Sequence, residues 1–344
     1  METLIIRVDA SPQIGMGHLM RCLALAQAWK DAGGRVMFIT VYEGDDSLQR
    51  LREEGFGIYL LGYAYPNPAD WNVTKEFLFG HSNAWVVLDG YHFDESYQRW
   101  IKESGHRLLA IDDLADLKHY YADIVLNQNL TAEQLHYSCE PYTQLLLGTC
   151  YALLRREFLG WKSWKREVSE TAQRVLVTLG GGDPENHTLK VIEALQKVDV
   201  ANLEAKVVIG VSNPHADILG EAVKKSHIAI DLIRNAADMP QLMAWADVAV
   251  SAGGSTVWEL AFMGLPSIIL VWADNQRDVA KELDTAGVVL NLGWCADVTS
   301  ADIAEALLLL LKGKNLRVGM ALQGQELVDG GGAERVVNFM REQS

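Results

Sequence analysis

The stretch Val248-Ala-Val-Ser-Ala-Gly-Gly-Ser-Thr-Val-Trp-Glu259, running on into Leu260-Ala-Phe-Met263, reads as a buried strand, a glycine-rich turn and a helix. A helix leaves its first backbone N–H groups without intrahelical partners, and its dipole favours negative charge there. Gly253, Gly254, Ser255 and Thr256, introduced by Ser251, therefore form a candidate phosphate cradle. The bland alternative is that two glycines only let a strand turn tightly into a helix. Glu259 favours the cradle, because an acid one turn into the helix can reach ribose hydroxyls while the turn holds phosphates.

On either side of this turn, short β-rich runs alternate with helical periods. In the second half the runs are 174–179, 205–209, 228–231, 247–250, 267–271 and 288–290, with helices predicted over 187–198, 214–226, 239–246, 277–286 and 300–312. Ser300 is the expected N-cap of the last of these, Gly313 or Asn315 its stop, and its leucine run is expected to pack on the sheet. The first half repeats the pattern: strands at 4–8, 35–40, 57–61, 84–89, 107–112 and 124–127, helices at 18–32, 46–54 and 95–104. Such alternation predicts an α/β chain of two doubly wound, Rossmann-like domains facing a cleft. The expected boundaries are 1–155, a charged, Trp-bearing connection over 156–172, 173–331, and a helix over 332–344 that packs back on the first domain. The segment 63–80, with Pro66, Pro68 and Trp71, is read as variable and is a candidate for lining a ligand pocket.

Composition narrows the function classes. With 344 residues, 49% hydrophobic and 22% charged, the chain has the make-up of a soluble globular protein. Its longest apolar run, 303–311, is too short to span a bilayer and contains Glu305, so no membrane span is expected. The start lacks the pattern of a signal peptide, and the four scattered cysteines suit a reducing cytoplasm. A net charge of −15 argues against binding nucleic acid over a broad basic surface but is compatible with a nucleotide held by backbone dipoles. A monomer is expected.

The loop Asp9-Ala-Ser-Pro-Gln-Ile-Gly-Met-Gly-His18 offers Gly15 and Gly17 in G-x-G spacing but no third glycine, so dinucleotide binding is set aside. His18 opens the following helix. It either caps or packs there, or serves as a general base, since a helix N-terminus disfavours the imidazolium and leaves a neutral ring able to accept a proton. Tyr91 follows the strand at 84–89 and sits at the carboxyl edge where parallel sheets bind ligands, although an ordinary strand-end aromatic is the alternative. Asp9 and Asp89 share that edge, as orienting groups for His18 or sugar hydroxyls, or as structural carboxylates. Asn275 and Gln276 occupy the corresponding edge in the second half, where amides can bond acetamido or hydroxyl groups or merely cap a helix. Gly181, Gly182 and Asp183 lie near the diphosphate or form only the first tight turn of their domain. Asp45-Asp46 and Asp112-Asp113 raise the question of a metal, which a helix end facing phosphate makes redundant; no metal and no cofactor are expected. The remaining histidines, His92 among them, show no metal spacing and receive no role.

Several motifs in this order carry a resemblance: Asp9 to Arg21, Val87-Leu-Asp-Gly-Tyr91, Ile111-Asp-Asp-Leu114 with Asn127-Gln-Asn129, Leu154-Arg-Arg-Glu-Phe158, Gly180-Gly-Gly-Asp-Pro184, Ser251 to Glu259 and Ala273-Asp-Asn-Gln276. Together they resemble the UDP-2,4-diacetamido-2,4,6-trideoxy-β-L-altropyranose hydrolases of pseudaminic acid biosynthesis, whose relatives include proteins of spore-coat polysaccharide synthesis. The resemblance covers nearly the whole chain. It implies a fold like that of GT-B glycosyltransferases, UDP bound by the second domain, and hydrolysis of the UDP-sugar with inversion to free sugar and UDP. It also implies that His18 is the base, that Tyr91 and Asn275 support it, and that Gly15, Gly17 and Arg21 touch substrate. Gly253 to Thr256 would hold the diphosphate and Glu259 the ribose. Alternatives are an inverting glycosyltransferase with an alcohol acceptor, a UDP-sugar 2-epimerase, and a nucleotide-sugar binding protein without catalysis.

Overall fold

The computed structural model describes residues 2–10, 16–41, 45–211, 213–236 and 238–343. They fall into two compact units, residues 1–156 with 330–344, and residues 157–329. Each is a parallel sheet covered on both faces, the arrangement that near-continuous apolar strands require.

In the first unit the strands are β1 (Thr3–Val8), β2 (Arg35–Thr40), β3 (Gly57–Leu60), β4 (Trp85–Asp89), β5 (Arg107–Ile111), β6 (Ile124–Asn127) and β7 (Gln144–Leu147). Their order is β3-β2-β1-β4-β5-β6-β7, every pair parallel. Helices α1 (Gly17–Asp31), α2 (Asp45–Glu53), α3 (Pro68–Phe79) and α4 (Glu95–Glu103) connect successive strands, and the short α5 (Arg156–Leu159) carries the chain into the second unit. One face of the sheet is covered by α1, where Leu23 and Trp29 share a core with Val336 and Met340 of the C-terminal helix, numbered α13 below. The other face buries Phe93, Tyr97, Ile101 and Tyr120. The direction of winding reverses between β1 and β4, so the carboxyl ends of these two strands flank the unit's topological switch point.

The second unit has the same plan. Strands β8 (Arg174–Thr178), β9 (Glu204–Ile209), β10 (Ala229–Arg234), β11 (Val248–Ala252), β12 (Ser267–Val271) and β13 (Val289–Trp294) run in the order β10-β9-β8-β11-β12-β13. The accompanying helices are α6 (His187–Leu195), α7 (Ala216–Lys224), α8 (Met239–Trp245), α9 (Thr256–Phe262), α10 (Arg277–Thr285), α11 (Ser300–Lys312) and α12 (Lys314–Leu327). The switch point lies between β8 and β11. Residues from Glu157 onward belong to this unit; Arg166 donates to the carbonyls of Met243, Ala246 and Met263, at the C-terminal ends of α8 and α9, where helix dipoles favour a cation. Helix α13 (Gly332–Glu342) returns the chain to the first unit.

Three local expectations need correction. The segment 63–80, to which no element was assigned, contains one: Pro68 opens α3, and the Asn67 side chain accepts from the Ala69 N–H. A proline in the first helical turn sacrifices no hydrogen bond, so it marks a start here rather than a break. The cap of α11 is Thr299, not Ser300, in a reciprocal box with Asp302. The leucine run packs as expected, with Leu307, Leu310 and Leu311 fully buried. Helix α12 was not expected at all.

Candidate active site

Asp89, the last residue of β4, is wholly buried at the first unit's switch point. His18, in the first turn of α1, places Nδ1 2.6 Å from Asp89 Oδ1. One helical turn further on, Arg21 reaches the same carboxylate from Nε (2.7 Å to Oδ2) and Nη2 (2.7 Å to Oδ1), while its Nη1 bonds both oxygens of Asp113 at 2.9 and 2.8 Å. Spacing of three along a helix puts His18 and Arg21 on one face, which is why a single carboxylate serves both. Tyr91 donates its hydroxyl to Asp113 Oδ2 at 2.7 Å and sets its ring edge-on to His18, centroids 4.8 Å apart. The Asn129 amide donates to Asp113 as well, at 3.2 Å. Motifs separated by more than a hundred residues thus meet around one imidazole.

The charges follow from this geometry. Burial alone would raise the Asp89 carboxyl, but the Arg21 guanidinium, His18 and their hydrogen bonds hold it far below the usual carboxylate range. Asp113 is likewise depressed, burial being outweighed by Arg21 and the Tyr91 hydroxyl. Burial opposes the charge on Arg21, yet Asp113 and Asp89 push its pKa upward. An ionised Asp89 can only accept, so the proton of the 2.6 Å contact sits on His18 Nδ1. In the neutral ring Nε2 is then the acceptor, and it has no hydrogen-bond partner among the described residues. Arg21 was expected to touch substrate; its N–H groups are instead occupied by Asp89 and Asp113, and it positions the carboxylate behind the imidazole. Gly17 starts α1 beside His18, and Gly15 lies outside the described residues.

A second cluster stands at the end of β1, on the sheet face opposite α1. The fully buried Arg7 donates through Nη1 and Nη2 to Asp9 and through Nη2 to Asp70, with Phe93 under its guanidinium. Asp9 also accepts from the Val41 N–H at 2.7 Å and from His92 Nε2 at 2.9 Å. Burial would raise the Asp9 carboxyl, but bonds from His92, Arg7 and Val41 bring it down to about 2. Neither Arg7 nor His92 was singled out in the sequence. The readable sign was an arginine interrupting an apolar strand two residues before a terminal aspartate.

The second unit's edge is built differently. Gly180 to Gly182 follow β8 and Gly253 and Gly254 follow β11, on the two sides of that switch point. Gln276, in the turn Asp274–Gln276 after β12, packs on the glycines: a Cβ on Gly253 would lie 3.0 Å from Gln276 Cβ. Its Oε1 accepts from the Trp272 N–H, and its Nε2 would lie 4.0 Å from a Cβ on Gly254. Asn275 lies in the same turn, and Glu259 is buried in α9, behind Ser255 and Thr256 at its start. Two residues expected at the ligand make bonds within their own unit. Ser251 is buried, its hydroxyl donating to the Thr178 carbonyl, and Asp183 accepts from the His187 and Thr188 N–H groups at 2.8 Å, capping α6. Among the described residues no cluster of three or more His, Cys, Asp or Glu is arranged to hold a metal ion, and no helix is long and apolar enough to cross a membrane.

Two parallel α/β units of this kind define a GT-B-like fold. Over 99% of its own length the chain superimposes on 99% of MurG from Acinetobacter baumannii with a TM-score of 0.71 at 15% identity, and residues 175–328 match the glycosyltransferase family 28 C-terminal domain. In sequence it is 25% identical to the spore coat polysaccharide biosynthesis protein SpsG of Bacillus subtilis (98% of this chain, 97% of that one). It is 26% identical to the UDP-2,4-diacetamido-2,4,6-trideoxy-β-L-altropyranose hydrolase of Campylobacter jejuni (83% and 97%). It is also 26% identical to the uncharacterized protein MJ1062 of Methanocaldococcus jannaschii, matching through 80% of its own length but only 57% of that longer protein. The family to which the motifs pointed is supported: the chain is related, over most of its length, to proteins carrying the SpsG and UDP-diacetamido-sugar hydrolase names.

Proposed function

We propose that the protein hydrolyses the anomeric C–O bond of a UDP-diacetamido-trideoxy sugar, releasing the free sugar and UDP with inversion, and that His18 is the general base. The observation that carries this reading is the imidazole fixed by a buried, ionised Asp89 at the first unit's switch point, with Nε2 left open. Names of relatives supply the substrate class.

In the proposed step a water gives its proton to His18 Nε2 as its oxygen bonds to the anomeric carbon. The bond from that carbon to the β-phosphate oxygen breaks, and its electron pair leaves with UDP. Asp89 stabilises the imidazolium that forms, and Arg21 keeps Asp89 ionised without competing for Nε2. The Tyr91 hydroxyl is tied to Asp113, so its ring acts as a wall for the imidazole. UDP needs no general acid because it leaves as a stabilised anion; the backbone at Gly253 to Thr256 is the proposed donor set, with Gly181 and Gly182 nearby, Glu259 on the ribose, and Asn275 and Gln276 on sugar substituents.

A glycosyltransferase reading, favoured by the family 28 match, differs only in the nucleophile. The deciding experiment follows UDP release from UDP-2,4-diacetamido-2,4,6-trideoxy-β-L-altropyranose with water as the sole acceptor. Sustained turnover with free sugar as co-product supports the hydrolase. Turnover that begins only when an alcohol acceptor is added contradicts it.

A further inference from the structure

The two histidine–aspartate pairs of the first unit are reciprocal. His18 follows β1 in the chain and bonds Asp89 at the end of β4; His92 follows β4 and bonds Asp9 at the end of β1. Val8 and Asp89 are register partners, so both links cross the same gap between neighbouring strand ends, in opposite senses and from opposite faces of the sheet. That gap is the switch point, where a parallel sheet admits a ligand outside its carboxyl edge. Each aspartate is further held by a buried arginine, Arg21 for one and Arg7 for the other.

His92 is built into place. Gly90 has φ +153, a conformation that favours glycine, and a Cβ there would fall 2.8 Å from His92 Cε1 and 3.0 Å from its Nδ1. Asp9, ionised and acceptor-only, takes the proton of Nε2, so that in the neutral ring Nδ1 is the hydrogen-bond acceptor. Nδ1 has no hydrogen-bond partner among the described residues, and about a quarter of the side chain (26%) stays accessible. Asp9 also accepts from Arg7 and the Val41 N–H, and Arg7 bonds Asp70 as well, so His92 is one of several donors to this carboxylate.

Resting on the UDP-sugar reading above, we propose that His92 is a specificity-determining residue of the sugar site, whose Nδ1 accepts a hydrogen bond from an acetamido N–H of the substrate. His18 acts on the water; His92 reads a substituent. The second imidazole gives the unit a means of favouring an acylamino sugar over one bearing a group that cannot donate at that position.

The test is titration calorimetry on the full chain in a His18→Ala background, which keeps the UDP-sugar intact. Dissociation constants are measured for UDP and for UDP-2,4-diacetamido-2,4,6-trideoxy-β-L-altropyranose. Adding His92→Ala is expected to weaken the UDP-sugar roughly tenfold, the size of one hydrogen bond to a buried polar group, and to leave UDP within twofold. His92→Asn, which keeps an acceptor near the Nδ1 position, is expected to recover most of the loss. His92→Gln, which keeps a donor to Asp9 but no acceptor at that position, is not. Unchanged UDP-sugar affinity in His92→Ala, equal weakening of UDP and UDP-sugar, or full rescue by Gln would each overturn the assignment. Failure of the hydrolase reading shows separately, as a wild-type protein that leaves the bound UDP-sugar uncleaved.

Discussion

The two sheets reverse at equivalent places, β1/β4 in one unit and β8/β11 in the other, yet the edges are made of opposite materials. At the first, the buried ions Arg7, Asp9, Asp89 and Arg21 and the half-buried Asp113 pair with one another, and Asp9 and Asp89 hold two imidazoles. At the second the strand ends carry Ser251, Thr178 and runs of glycine, and the buried Asp183 accepts from helix N–H groups rather than from a cationic side chain. The difference matches the task proposed for each edge. Moving a proton requires an oriented base whose partner stays ionised, which only charged side chains provide. Holding a diphosphate requires close backbone approach and fixed dipoles, which side chains would obstruct.

That contrast breaks most visibly at His18. In His18→Ala the rate of UDP release is expected to fall about 10³-fold with UDP affinity unchanged, measured by stopped-flow phosphate-coupled or chromatographic assay alongside calorimetry. Asp89→Asn preserves shape but removes the charge that selects the Nδ1–H tautomer and balances Arg21. Turnover is expected to drop roughly 10²-fold, with a lowered melting temperature because a buried guanidinium loses one of its two carboxylate partners; a near-wild-type rate would show that tautomer control is not needed.

Asp112 sharpens the comparison, since it lies beside the network without a cation in contact among the described residues. Burial pushes its carboxyl up to about 6, the Ala115 N–H opposing and the neighbouring Asp113 charge adding to the rise. The folded chain therefore holds this proton more tightly than the unfolded chain. Its stabilising effect is complete below about pH 4 and lost as pH rises through about 6. Asp112→Asn, which still accepts from Ala115, should be more stable than wild type by on the order of 2 kcal/mol at pH 8 and equal to it near pH 4, by urea unfolding. A gain independent of pH would contradict the assignment. On the glycine-rich edge the smallest effect is expected: Gly253→Ala must displace Gln276, raising the Kd for UDP about tenfold and leaving the pH dependence of stability unchanged.

Much of this was legible before the coordinates. Alternation of apolar runs located most strands, and the motif pair Asp9–Arg21 and Val87–Tyr91 placed His18 and Tyr91 at one edge. What escaped was of two kinds. Some elements carried weak local signals: Pro68, in a segment given no element, starts a helix, and Gly319 and Gly324 hid α12, although a Cβ on Gly324 would lie 2.8 Å from the Ala261 carbonyl. Interactions that exist only through space were the other kind. Nothing in the spacing pairs His92 with Asp9, and Arg21 looked like a substrate ligand until its carboxylate partners, 68 and 92 residues away, were in view. The i to i+3 placement of Arg21 behind His18 was the one available hint that the two share a partner.

The central claim is that an imidazole clasped by a buried carboxylate directs water at the glycosyl carbon. Single-turnover hydrolysis of UDP-2,4-diacetamido-2,4,6-trideoxy-β-L-altropyranose in ¹⁸O-enriched water tests it directly by mass spectrometry. The account predicts label on the anomeric oxygen of the released sugar and none on UDP; label on the β-phosphate of UDP would contradict it.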